Sequence, residues 1–84
     1  MEYEKVYVTV TVRVSADGRI TPKSIEWEDG KVYEIDRVTG VRVQPPSYVG
    51  GILTELYDCV VAGERKQLYL ETDSRRWFVE KPIG

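Results

Sequence analysis

Histidine is absent from this chain, and cysteine occurs once. Without histidine the commonest general base is missing, and catalysis loses its most frequent proton carrier. Cys59 has no histidine to activate it and lies in an apolar run beside Asp58 and Val60. It reads as a buried structural thiol. One cysteine cannot form an intramolecular disulfide, so the fold does not rely on an oxidising compartment. No apolar run approaches the roughly 20 residues of a membrane span. The start, Met1-Glu2-Tyr3-Glu4-Lys5, is acidic and alternating, unlike the basic-then-apolar pattern of a secretory signal. A cytoplasmic domain is expected. The net charge is −2, which speaks against generic nucleic-acid binding but leaves room for a local basic patch. Helical periodicity is missing too. At 84 residues there is material for one domain, and a domain of this size buries roughly 60–65% of its unfolded surface.

The clearest pattern present is strict alternation. Val6, Val8, Val10, Val12 and Val14 share one face of a first strand; Lys5, Tyr7, Thr9, Thr11 and Arg13 share the other. That is a half-buried strand, long enough to need a long partner. Ser15-Ala16-Asp17-Gly18 reverses the chain, and Pro22 predicts a kink or bulge at Thr21–Lys23. The stretch Ile25–Ile35 organises the rest: two alternating arms flank Asp29-Gly30, which predicts a hairpin with a type I′ turn. The apolar set slips near Asp36-Arg37-Val38, as one extra residue in a ladder would make it do, and Gly40 marks a bend. Gln44–Gly51 is irregular. Ile52–Ala62 resumes as a strand, with Leu56, Tyr57, Cys59, Val60 and Val61 buried on both faces. Arg65–Glu71 points Leu68 and Leu70 inward. Arg76–Lys81 sets Trp77 and Val79 opposite Phe78, and Pro82 ends it.

About six strands with short turns predict an all-β fold, a small antiparallel barrel of the SH3-like kind spanning residues 1–84. An OB-like barrel is the rival. It usually carries a helix between its third and fourth strands, which the Pro45-Pro46…Gly50-Gly51 loop cannot supply.

Carboxylates gather at the central hairpin: Glu26, Glu28, Asp29, Glu34 and Asp36. They lack the order of a calcium loop and read as a solvated outer face. No cofactor or metal is expected, and an enzyme is not. Binding is the better-supported class. Arg65 and Lys66 lie at one hairpin, Arg75 and Arg76 precede Trp77, and Tyr69 lies between. Arginine beside an exposed aromatic stacks bases and holds phosphate. The spacing Trp77 shares with Val79 favours instead an inward ring anchoring the core. Tyr48 sits in the Pro–Gly loop, where binding residues often reside. Tyr3, Tyr7, Thr9 and Thr11 form a tyrosine-rich, low-charge strand face suited to self-association as a homodimer.

Pro22, the run Ile25-x-Trp27-x-x-Gly30-x-x-Tyr33-x-Ile35-x-x-Val38, Tyr57-x-Cys59-x-Val61, Leu68-Tyr69-Leu70 and Arg76-Trp77-Phe78-Val79-Glu80 together resemble a family of small uncharacterised bacterial all-β domains. The likeness covers roughly Pro22 to Lys81 and leaves out the first strand. Some members of that family occur beside, or fused to, DNA-damage-type polymerases, which implies an accessory role near DNA. The expected function is a non-enzymatic protein-interaction module that self-associates. The alternative is an accessory nucleic-acid-binding barrel linked to DNA repair or replication.

Overall fold

Alternating valines build a first strand of 13 residues, and the barrel closes on it. In the computed structural model, which describes residues 2–46 and 51–83, six strands follow one another: β1 (Glu2–Val14), β2 (Ile20–Glu26), β3 (Val32–Gln44), β4 (Thr54–Val61), β5 (Glu64–Glu71) and β6 (Trp77–Ile83). Each pairs antiparallel with the next, and β6 returns to β1 to close the ring. This is the small all-β barrel that the alternation predicts. Because all neighbours are sequential, it is a meander and lacks the Greek-key order of an OB barrel.

The long first strand has two partners in place of one. Glu2–Val8 lies along β6, and Thr9–Val14 lies along β2. Bulges bend the wall where the sequence pattern slips. Lys23 is the extra residue beside Pro22, and Asp36 is the extra residue between Ile35 and Arg37. A second slip in β3, at Thr39 before Gly40, adds to the bend. One expectation needs correction at the end of the chain. Pro82 does not end β6, which runs on to Ile83 with Pro82 opposite Tyr3. A proline is tolerated there because, among the described residues, β6 has no second partner at that height.

The turns also depart from expectation in an instructive way. At the central hairpin the Gly30 N–H donates to Trp27 O at 2.9 Å and the Trp27 N–H to Lys31 O at 2.8 Å. Gly30 alone takes positive φ (87°), while Asp29 does not. The turn is therefore the longer kind, closed by a left-handed glycine, and not type I′. Ser15–Arg19 repeats the device: Gly18 N–H donates to Ser15 O, with Gly18 at φ 90°. In both turns the aspartate before glycine accepts from the second residue on, Arg19 N–H to Asp17 and Lys31 N–H to Asp29. Two successive positive φ values, the type I′ signature, occur instead at Ala62 (50°) and Gly63 (77°) between β4 and β5.

Inside the ring Ile25, Ile35, Tyr57, Cys59, Val61, Leu68, Leu70 and Trp77 form the core. Trp77 packs its ring on Tyr57 at 5.0 Å. A smaller cluster of Leu56, Tyr69 and Phe78 lies on the outer face of the same strands, which is why β4 reads as apolar on both sides.

Candidate functional site

The ring is closed unevenly. β5 and β6 pair only at Tyr69–Phe78 and Leu70–Trp77 among the described residues, and their other ends diverge. Neither strand is bulged over that stretch: β5 stays in register with β4 and β6 with β1. Two regular, unpaired edges thus face each other, Glu64–Leu68 across from Val79–Ile83. A cleft of about 1500 Å³ opens at this gap and runs on along β3 and β4. It is a slot through the wall. On the interior side it meets Ile25, Trp27, Leu68 and Val79, and on the exterior side Val60, Arg65 and Tyr69.

Alternation along β5 and β6 gives the slot a gradient. Near the vertex, where the strands still pair, Leu68 and Val79 face inward, with Trp27 of the central hairpin behind them. Towards the mouth the inward positions become Lys66 and Lys81. Arg37, Arg42 and Arg65 add charge outside. Of the facing carboxylates, Asp58 is held by Arg42 at 3.3 Å and Glu64 by Lys66 at 3.3 Å. Glu80 accepts a 2.6 Å hydrogen bond from the Tyr69 hydroxyl. Arg37, Arg65 and Lys81 make no ion pair among the described residues. The slot is therefore positive in a chain whose net charge is −2. Burial, then the bond to Glu80 and its charge, push the Tyr69 hydroxyl up to about 12, so it remains a donor at neutral pH.

At the other end of β5 a second constellation stands on the outer face. Glu71 is 1% exposed. Its carboxylate accepts from Lys5 Nζ at 3.0 Å, from the Tyr7 hydroxyl at 3.0 Å and from Ser74 Oγ at 3.2 Å, with Arg76 Nη2 at 3.6 Å. Burial pushes its pKa up, but the hydrogen bonds from Lys5 and Tyr7 with the Lys5 charge outweigh this and hold it below the usual carboxylate value. Arg76 lies over the Tyr7 ring at 4.1 Å, and Tyr69 stacks on Phe78 at 4.8 Å. The cluster ties β1, β5 and the β5–β6 turn together. Three donors and the Arg76 charge satisfy the buried carboxylate, which is a structural tie.

The residues singled out from the sequence do not converge on one place. Tyr3, Arg65, Lys66 and Tyr69 line the slot. Tyr7 and Arg76 belong to the Glu71 cluster. Trp77 is 8% exposed and faces the interior, so it anchors the core and presents no ring to a ligand. Arg75 is exposed in the β5–β6 turn with φ 60°, and Thr9 and Thr11 are exposed on the outer face of β1. Tyr48 lies outside the described residues. The two basic pairs stand at opposite ends of β5, separated by roughly 18 Å at about 3.3 Å per residue, since Arg76 lies level with Glu71, so they do not make one patch. Trp27, Leu68, Val79 and Lys81 are slot residues that the sequence reading passed over as ordinary barrel wall. Cys59, 1% exposed, has its thiol pushed up to about 11 by burial and then by Asp58, and it is inert.

Among the described residues there is no helix long and apolar enough to cross a membrane. No family model, no curated protein and no solved structure matches this chain.

Proposed function

We propose that this chain is a non-enzymatic protein-interaction module whose ligand site is the slot between β5 and β6. One observation carries the reading: two regular strand edges with free main-chain groups face each other across an apolar floor. An extended segment adds to such an edge through main-chain hydrogen bonds, and side-chain pockets select it. A photoreactive residue at Gln67, on the slot's rim, is the direct test. It should form discrete, nuclease-resistant protein adducts in cells, while the same residue at Asp17, on the far β1–β2 turn, should not. Equal labelling from both positions, or adducts that vanish with nuclease, overturns the proposal.

Self-association is the second reading, favoured by exposed apolar surface on β1 and β3. Tyr3 and Tyr7 stand 53% and 42% exposed beside Thr9 and Thr11 on β1. Val41 and Val43 are uncovered where β2 and β3 part after Ser24–Glu34. Light scattering across a hundredfold dilution should show a monomer–dimer equilibrium; a strict monomer at the highest concentration removes this part. The nucleic-acid alternative draws on the likeness to polymerase-associated bacterial domains and on Arg65, Lys66, Arg75 and Arg76. The separation of those pairs and the stacking of Tyr69 beneath its neighbours weigh against it.

A further inference from the structure

We infer that the slot takes an extended protein segment of defined polarity: one bulky apolar side chain, one neutral polar residue, then two acidic residues, read from N to C. The inference rests on the interaction-module reading and names its ligand class. Continuing the register beyond Tyr69–Phe78 would set Leu68 across from Val79, Gln67 from Glu80, Lys66 from Lys81 and Arg65 from Pro82. A strand entering the slot meets these rows in turn. Beside the vertex its inward side chain lies between Leu68 and Val79, facing Trp27, and must be apolar. The next position points outward beside Gln67 and Glu80. Glu80 is already engaged by Tyr69, so a neutral side chain suits it and a second carboxylate does not. The third points inward between Lys66 and Lys81. The fourth points outward beside Arg65.

Direction follows from the edges. Pro82 removes one main-chain donor from β6, whereas β5 has no proline over Glu64–Leu68, so β5 is the better ladder. Antiparallel pairing is the stronger kind. β5 runs from the mouth to the vertex, so an antiparallel ligand runs from the vertex to the mouth, with its apolar residue first and its acids last. Charge supports the same occupant. Arg65 and Lys81 have no ion pair among the described residues, and the Lys66–Glu64 pair is solvent-exposed and weak, hence exchangeable.

The test is an amide-shift titration of the whole chain with short capped peptides. A Phe-Thr-Glu-Glu peptide should move the Glu64–Leu68 and Val79–Lys81 amides and the Trp27 indole, with binding that weakens as salt rises. Phe-Thr-Lys-Lys and Ser-Thr-Glu-Glu should bind at least tenfold more weakly. Replacing both Lys66 and Lys81 by Ser, at exposed positions that leave the melting temperature in place, should weaken the acidic peptide about tenfold. Equal binding of the acidic and basic peptides overturns the acidic preference and leaves the interaction-module reading standing. Equal binding with Ser for Phe overturns the apolar anchor. Shifts confined to β1, or no slot response to any peptide, overturn the slot as the docking site. An oligothymidylate that displaces the acidic peptide overturns the protein ligand in favour of a nucleic acid.

Discussion

β6 is held in two different ways on its two sides. Towards β1 it is paired along its length, from Val8 opposite Trp77 to Glu2 opposite Ile83. Towards β5 it is paired at two rows only. Yet the ring holds. At the β5–β6 junction a short ladder, extended by the Glu71 N–H to Arg76 O bond at 2.9 Å, is reinforced by side-chain packing on both faces. Both paired rows continue across three strands. Inside, Leu70, Trp77 and Val8 stand in line; outside, Tyr69, Phe78 and Tyr7 do, with ring separations of 4.8 and 5.9 Å. Packing on both faces at one height reinforces the short ladder, and beyond that height the two edges are unpaired among the described residues.

The largest effect is expected from Trp77→Ala, which empties the inner row: a loss of about 3–5 kcal/mol in urea unfolding, since a large buried aromatic leaves a cavity. A loss below about 1 kcal/mol would mean that the junction is held by other means. Next comes Glu71→Ala, which frees Lys5, Tyr7, Ser74 and Arg76 at the junction's outer corner. Its expected cost is about 1–3 kcal/mol, because the main losses are hydrogen bonds to partners that water can partly replace. The β1–β6 amides should stay protected from exchange while those of the β5–β6 turn open.

The pH dependence has a definite sign. Glu71 titrates below the ordinary carboxylate value in the fold. Its contribution is therefore present above that ordinary value and lost as pH falls through the depressed one. The melting temperature should drop in acid, and the drop should shrink in the Glu71→Ala variant. Cys59, Tyr57 and Tyr69 titrate upward instead, near 11, 12 and 12. Their contribution is complete below their ordinary values and fades as pH rises through the raised ones. Without histidine, the range between pH 6 and 8 should be flat; a melting temperature that moves several degrees there would expose a further titrating group. The smallest change is expected at the fully paired β4–β5 junction. Ala62 sits at φ 50°, where a Cβ is strained, and Ala62→Gly should stabilise by up to about 1 kcal/mol.

Much of the barrel was legible because its signals are local. Alternating valines, the slips at Pro22 and Asp36, and the doubly apolar β4 each state a strand, a bulge or a buried wall within a few residues. The turns were legible as turns but not as types. Asp29-Gly30 closes with one left-handed residue, whereas Ala62-Gly63, with less turn-like chemistry, takes two, because flanking strand register sets the loop length. The candidate site was legible only in fragments. Arg65, Lys66 and Tyr69 were visible as cations near an aromatic, but Trp27 and Lys81 join them only when strands distant in sequence meet.

What the amino-acid order determined alone is the periodicity of two, hence which side chains face inward and which outward along each strand. It also determined the absence of histidine chemistry, since no arrangement in space can supply a missing side chain. The tertiary structure decided which strands remain paired and where pairing stops. A strand's two edges are chemically alike in sequence, and only the curvature of the closed wall leaves one of them bare. The slot between β5 and β6 exists for that reason, and so does the burial of Glu71 against residues more than sixty positions away.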